Sequence, residues 1–138
     1  SRMKNAENYL IAHDIKPTAV RIVVWNEIAK NNTPFSLKDV EQSLPYMDRS
    51  SIFRSLKLFT EKHLLHEIDD GSGFVKYCVC HCDSSLHLGH PHFTCVECGK
   101  TFCLSETTIP LVTLPQDYKP AEVEYIIKGY CPACARKK

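Results

Sequence analysis

The sequence predicts an α+β protein with two domains. A winged helix-turn-helix domain over residues 1–82 precedes a smaller α+β domain over residues 83–138 that contains a structural zinc site. Three observations predict this organisation. The first half of the chain carries apolar side chains at helical spacing. That half is followed by two β-like runs. All eight cysteines lie in the second half, and four of them form two C-x-x-C pairs.

Four helices are expected in the first half, and most have a recognisable start. The first is a weakly periodic, polar stretch, whereas Pro17 suits the first turn of the second helix. Ser36 is expected to cap the third helix, and Asp48 or Ser50 to start the fourth. The expected bounds are residues 3–13, about 17–30, 37–43 and about 50–62.

Two short β-like runs follow the fourth helix. They are HLLHEID over residues 63–69 and GFVKYCVC over residues 73–80. The Asp, Gly and Ser residues between these runs favour a hairpin turn. A short helix, a longer helix and a hairpin in this order indicate a winged helix-turn-helix.

The fourth helix is the candidate DNA-reading helix. Its apolar positions fall on one stripe, and several polar or basic side chains face away from that stripe, where they could contact bases and phosphates. For charges alone, an ordinary solvated helix face is the more common explanation. The preceding short helix and the following hairpin favour DNA. The outward side chains are Ser50, Ser51, Arg54 and Lys57.

Three strand-like runs are expected in the second domain. They are HFTCVEC, KTFCLS and AEVEYIIKGYC, and in the last of them Val123, Tyr125 and Ile127 share one face. Three prolines between the second and third runs leave room for only a short helix. Residues 81–90 are expected to form a linker between the domains.

The two C-x-x-C pairs are the strongest chemical signal in the sequence. Zinc binds four tetrahedral ligands, and two residues between cysteines let one turn present both sulfurs to the same ion. Gly99 follows the first pair and Gly129 precedes the second, and both are expected to supply tight turns. Two unrelated thiol pairs, or a redox C-x-x-C, are the alternatives. The predicted structural zinc ligands are Cys95, Cys98, Cys131 and Cys134.

A second metal site is predicted around His90 and His92, which point to the same side of an extended segment. Mixed nitrogen and sulfur ligands favour zinc over iron or manganese. Surface histidines and buried cysteines are the alternative explanation. Other candidate ligands nearby are His66, Cys78, Cys80, Cys82, Asp83, His87, Cys103 and Glu106.

Composition limits the other classes of function. No apolar run approaches the roughly 20 residues that span a bilayer, and the N-terminal segment lacks a signal peptide's apolar stretch, so we expect a cytoplasmic protein. The net charge of +1 says nothing about a nucleic-acid partner.

The chain lacks the H-x-E and P-C-x-x-C motifs of zinc deaminases, and its C-x-x-C pairs lie between strand-like runs. We therefore expect no enzyme. A zinc-ribbon interaction protein or a zinc buffer is the alternative from a different class.

Motifs spread along the chain resemble those of the ferric uptake regulator (Fur) superfamily. Thr18-x-x-Arg21 resembles its T-x-x-R, and SIFRSL over residues 51–56 resembles the T-V-Y-R-x-L of its recognition helix. HPHFTCVECG over residues 90–99 resembles its H-x-H-x-x-C-x-x-C-G, and GYCPAC over residues 129–134 resembles its closing G-x-C-x-x-C.

The resemblance implies a homodimeric, metal-dependent transcriptional repressor that binds a palindromic DNA operator and controls metal-uptake genes. Its second domain would be the dimerisation domain. A regulatory metal, Zn²⁺ or alternatively Fe²⁺, would hold the two DNA-binding domains of the dimer at the spacing of the two operator half-sites. The implied DNA contacts are Thr18, Arg21, Arg49, Ser50, Ser51, Phe53, Arg54 and Lys57.

The resemblance is strongest to the zinc-sensing (Zur) branch, which implies His66, Cys80, His90 and His92 as regulatory ligands. Cys78 and Cys82 lie close enough in sequence to replace Cys80. The iron-sensing branch often has a histidine before the third helix, where this chain reads Thr33-Pro34-Phe35. A peroxide sensor would favour nitrogen and carboxylate ligands. Phe53 replaces the usual tyrosine of the recognition helix.

Overall fold

The computed structural model forms two compact units, Ser1–Cys80 and His81–Lys138. It describes residues 2–31, 33–69, 71, 73–79, 91–104, 107, 110, 112–121 and 123–138. The predicted domain boundary between residues 82 and 83 and the predicted linker over residues 81–90 lie outside the described residues.

The first unit contains four helices and three short strands, in the order expected of a winged helix-turn-helix. The strands form one antiparallel sheet in the order β1-β3-β2. The hairpin of β2 and β3 directly follows the fourth helix, which confirms the predicted wing. The elements are α1 Arg2–Ala12, α2 Ala19–Ile28, β1 Phe35–Ser36, α3 Leu37–Ser43, α4 Arg49–Glu61, β2 Leu65–Ile68 and β3 Lys76–Val79.

Short polar side chains cap three of these helices. Ser36 begins α3 with a capping box, in which its side chain and that of Asp39 each accept a backbone N–H. Asp48 caps α4 through the backbone N–H of Ser51. The cap of α2 is Thr18. The prediction that Pro17 lies in the first turn of this helix is therefore wrong, because Pro17 lies one residue before the cap.

The core of the first unit lies between the helices and the sheet. Trp25 packs edge-on against Phe59, with 5.5 Å between ring centroids, and stacks on Tyr9 at 5.0 Å. Ile52 and Leu56 on α4 are fully buried. The apolar stripe predicted for α4 therefore faces inward and fixes which side of this helix meets solvent.

The strand β1 is the element of this unit that the sequence did not predict. It pairs with β3, placing Phe35 opposite Tyr77, and the two rings stack at 5.9 Å between centroids. A two-residue strand followed at once by a helix has too few residues to show any alternation.

The second unit contains three strands and one short helix among its described residues. The sheet order is β5-β4-β6, with β5 antiparallel and β6 parallel to β4. The short helix α5 was not expected at this position. The elements are β4 His92–Cys95, β5 Thr101–Cys103, β6 Ile126–Gly129 and α5 Pro132–Ala135.

The third predicted strand is shorter than its sequence pattern suggested. The strand begins at Ile126, although the backbone carbonyl of Tyr125 still accepts the N–H of His92 at 2.9 Å. Gly129 was predicted to make a tight turn, and this prediction is wrong, because Gly129 ends β6 without a positive φ. The position is instead crowded, since an added Cβ would lie 3.1 Å from the Phe93 ring and that ring would have to move by a few tenths of an ångström.

Among the described residues, the second unit has a very small apolar core. The buried cluster that they form consists of Cys95, Cys131 and Cys134, with Phe102 packed against them. Burial on this scale cannot offset the conformational entropy lost on folding, so a crosslink is expected. None of the helices among the described residues has the length and apolar character needed to cross a membrane.

Candidate metal centre and nucleic-acid interface

The four cysteines of the two C-x-x-C pairs meet in the second unit. Their sulfur atoms all lie within 4.8 Å of one another, and the Sγ atoms of Cys98 and Cys131 are 3.9 Å apart. A tetrahedral ion with metal–sulfur bonds of about 2.3 Å would separate its sulfurs by about 3.8 Å. Three of the thiols are buried and Cys98 is exposed. These residues could therefore hold one metal ion with little rearrangement.

Each pair of cysteines is presented by a turn. Cys95 ends β4, and the backbone N–H of Gly99, at φ +76°, donates to the carbonyl of Cys95 at 2.9 Å. This positive φ confirms the turn predicted at Gly99. Cys131 is the residue that precedes α5, and Cys134 lies within that helix. The structure thus brings together all four predicted ligands of the structural site.

Hydrogen bonds within the cluster shift two of the thiol pKa values in opposite directions. The backbone N–H of Cys98 donates to Cys95 Sγ at 3.5 Å, and this bond, together with a weaker backbone contribution from Cys131, lowers the pKa of Cys95 to about 6. The hydrogen bond with the Cys131 thiol, followed by burial, raises the pKa of Cys134 above its usual range. Four thiolates this close repel one another without a cation, so metal binding has to displace protons from the cluster.

The ligands predicted for the second metal site are described only in part. His66 on β2 and Cys78 on β3 are directly opposite one another, and opposed residues of an antiparallel pair share a face. Cys78 is buried and His66 is half-buried. His92 is buried on β4, opposite Cys103 of β5. The other candidates, Cys80, Cys82, Asp83, His87, His90 and Glu106, lie outside the described residues.

The outward face of α4 carries most of the predicted DNA contacts. Ser50, Phe53, Arg54 and Lys57 are exposed, whereas Ser51 is half-buried. Phe53 is 46% exposed, which is high for an aromatic side chain. Arg49 is also exposed and pairs with Glu41 of α3 at 3.5 Å.

The side chains at the start of α4 form a hydrogen-bonded group around Asp48. The hydroxyl of Ser50 donates to Asp48 Oδ2 at 2.6 Å, and that of Ser51 donates to Oδ1 at 2.9 Å. The backbone N–H of Ser51 also donates to Oδ2 at 3.1 Å. The bond from Ser50 and the two from Ser51 lower the pKa of Asp48 to about 2, so its carboxylate is ionised at neutral pH. The sequence predicted either Asp48 or Ser50 at the start of α4, and the structure has Asp48 as the cap, with bonds to the two hydroxyls that the sequence did not indicate.

Thr18 and Arg21 lie beside the same end of α4. They line a shallow cleft of about 220 Å³ together with Ser51 and Arg54. Arg21 Nη1 donates to the carbonyl of Lys16 at 2.9 Å, which holds the guanidinium at the start of α2. Six of the predicted DNA contacts thus lie on α4, and Thr18 and Arg21 from α2 join Ser51 and Arg54 in the cleft.

The profile of the ferric uptake regulator family matches residues 12–114. The chain belongs to the ferric uptake regulator family. It is 25% identical over 117 residues to the ferric uptake regulation protein of Synechococcus elongatus, covering 82% of this chain and 69% of that protein. Membership in the ferric uptake regulator family makes the chain a metal-responsive regulator.

Solved structures of ferric uptake regulator proteins share the fold. The Helicobacter pylori ferric uptake regulator Fur superposes with a TM-score of 0.65 at 14% identity, covering 97% of this chain and 91% of that chain. A zinc uptake regulator complexed with zinc and DNA superposes with a TM-score of 0.63 at 17% identity, covering 98% of this chain and 93% of that chain.

We expect Cys134→Ser to lose the metal ion of the four-cysteine cluster and to unfold the second unit. A structural ion supplies on the order of 10 kcal/mol of apparent binding free energy, which the small core cannot replace. Elemental analysis after mild chelation, together with thermal unfolding, measures both effects. Cys103→Ser is the matched control, because that thiol lies on β5 outside the cluster, and it should retain the tightly held ion. Equal metal content in both variants would contradict the assignment.

Proposed function

We propose that this chain is a zinc-sensing transcriptional repressor that binds palindromic operator DNA as a homodimer and controls metal-uptake genes in the cytoplasm. The outward face of α4 is the observation that carries the proposal. A winged-helix unit presents this face to solvent, in a chain whose second unit gathers four thiols.

Charge and burial on α4 support a DNA partner. Burial of Ile52, Leu56 and Phe59 fixes the rotation of the helix, so Arg54 and Lys57 point outward. Guanidinium and ammonium groups in this position suit guanine edges and phosphates in the major groove. The likeness in fold to a zinc uptake regulator solved with zinc and DNA supports the same conclusion.

We expect Arg54→Ala to weaken operator binding by roughly 1–3 kcal/mol and to leave the metal content unchanged, because Arg54 would contact a base. The operator would first be selected from a pool of random duplexes with the zinc-loaded protein, and affinity then measured by fluorescence anisotropy at two salt concentrations. Lys100→Ala is the control, because it removes an exposed cation from the second unit. If Arg54→Ala binds as tightly as Lys100→Ala, α4 is not the reader.

Zinc is the ion proposed for the four-cysteine cluster. Thiolates are soft ligands, and four of them in a near-tetrahedral group suit zinc better than manganese or magnesium. Such a site leaves no open coordination position, so it would hold the fold rather than respond to changes in metal concentration.

For the regulatory metal, we propose zinc bound by His66, His90, His92 and one thiolate. The resemblance to the zinc-sensing branch implies Cys80 as the thiolate. The opposed positions of His66 and Cys78 across β2 and β3 favour Cys78 in that role. A metal that binds ligands from both units more tightly in the DNA-binding arrangement would shift the population toward that arrangement.

We expect Cys78→Ser to lower the affinity for the exchangeable zinc ion at least tenfold, because the ion would lose a thiolate ligand. The variant should also lose zinc-dependent operator binding. Competition against a fluorescent zinc chelator measures the affinity, and Cys80→Ser is the paired variant. If Cys80→Ser has the larger effect, Cys80 and not Cys78 is the thiolate ligand. The zinc affinity of His66→Ala should be as low as that of the thiol variant with the larger loss.

Iron sensing is the second candidate function. The relative in Synechococcus elongatus is named a ferric uptake regulation protein, which favours iron. Thiolate ligands favour zinc. Operator binding titrated with Zn²⁺ and with Fe²⁺ under anaerobic conditions would separate the two functions.

The edge strand β6 is the proposed dimer contact. It lies at one edge of the β5-β4-β6 sheet, and Ile127 on it is 40% exposed. The neighbouring Val123 and Tyr125 are each 38% exposed. An apolar, uncovered strand edge tends to pair with another chain, and a second copy of this chain would satisfy it.

We expect Ile127→Glu to convert the dimer to a monomer, because the substitution places a charge at the proposed contact. Sedimentation velocity measures the change in mass. Val96→Glu is the matched control, since it puts the same charge on another exposed apolar position of the second unit. A monomeric Val96→Glu alongside a dimeric Ile127→Glu would move the contact to the turn between β4 and β5.

A further inference from the structure

The carboxylate of Asp48 bonds to more groups than a helix cap requires. A cap needs one side-chain oxygen that accepts one backbone N–H, and the bond from Ser51 N–H to Oδ2 meets that need. Both carboxylate oxygens also accept side-chain hydroxyls, from Ser50 at 2.6 Å and from Ser51 at 2.9 Å. The two serines lie in the first turn of α4, where recognition helices contact base edges.

These bonds fix the hydrogen-bonding polarity of the two hydroxyls. A serine hydroxyl has one hydrogen to donate and two lone pairs that can accept. An ionised carboxylate can only accept, so each hydroxyl hydrogen points toward Asp48. The Arg54 guanidinium lies 3.5 Å from Ser51 Oγ and uses part of its accepting capacity. Ser50 is exposed and keeps both lone pairs for another partner.

An acceptor in the major groove distinguishes two classes of base. Adenine presents its N6 amino group where guanine presents O6, and cytosine presents its N4 amino group where thymine presents O4. A hydroxyl that is free to rotate can satisfy either class. A hydroxyl whose hydrogen is already donated can pair only with the amino class.

We infer that Asp48 is a positioning residue that leaves the hydroxyls of Ser50 and Ser51 able only to accept hydrogen bonds from DNA. The start of α4 would then select adenine or cytosine over guanine or thymine at the base it faces. This inference rests on the proposed DNA-binding function. Ser50 is the main reader of the pair, because it is exposed and Ser51 is half-buried. Asp48 acts through the serines and need not touch DNA.

Asp48→Gly tests the inference because it separates capping from polarity. Asparagine would not separate them, since the oxygen that keeps the cap bond from Ser51 N–H would also keep the Ser50 hydroxyl hydrogen. Glycine is tolerated at a helix cap with a loss of only a few tenths of a kcal/mol, so α4 should remain intact. It removes both carboxylate oxygens, so both serine hydroxyls become free to rotate and the variant should lose the preference for amino bases.

The experiment compares affinities for duplexes that carry each of the four base pairs in turn at every position of the selected operator. In the parent we expect a preference of about two- to tenfold for adenine or cytosine at one position of each half-site, the range that one net hydrogen bond provides. Asp48→Gly should remove this preference with little change in thermal unfolding. Ser36→Gly is the matched control, because it makes the corresponding replacement at the cap of α3 and should leave base preference unchanged.

Ser50→Ala provides an independent variant, because this exposed side chain can be removed without a cavity. It should abolish the same preference whether or not Asp48→Gly is stable. An unchanged preference in Asp48→Gly or in Ser50→Ala overturns the inference while the DNA-binding function stands. If the zinc-loaded parent enriches no duplex at all, it is the proposed function that fails.

Discussion

Mutual repulsion of four sulfur atoms is the constraint on which the second unit depends. The chain places them within 4.8 Å of one another, around a core that contains few other apolar side chains. Without a cation, some of the thiols have to stay protonated, because four adjacent thiolates would repel one another. A metal ion bound here would turn this repulsion into the main crosslink of the unit. The positions of β4 and β6 follow, because each strand leads into one of the two cysteine pairs.

The first unit is stabilised in the ordinary way, by burial of apolar side chains. Trp25, Phe59 and the buried stripe of α4 hold the helices together, and the caps determine where each helix starts. These two features also decide which side chains reach solvent. Packing in the core fixes the rotation of α4, and Asp48 fixes its first turn. Which side chains of α4 reach solvent is therefore decided by its buried residues and by the residue that caps it.

Much of this arrangement could be predicted from the sequence, because its signals are local. Helical spacing and capping residues located α3 and α4, and the Asp- and Gly-rich segment located the hairpin. The doubled C-x-x-C spacing located all four thiols of the cluster. The missed features depend on distant partners. The strand β1 exists because β3 lies beside it, and the role of Gly129 follows from the Phe93 ring. The register that sets Cys78 opposite His66 likewise requires a paired strand, which spacing along one segment cannot specify.

The parallel pairing of β4 with β6 sets Cys95 opposite Gly129, which brings both cysteine pairs to the same end of the sheet. The chain between Cys98 and Cys131 is therefore held together at both ends, and between β5 and β6 its described residues from 107 to 125 are exposed and contain no helix or strand. Doubling the length of a flexible loop costs only about 0.6 kcal/mol of closure entropy. Insertions, deletions or a fluorescent reporter placed near residues 112–118 should thus be tolerated by the four-cysteine cluster. This segment is therefore the part of the second unit whose length can change without moving the four thiols.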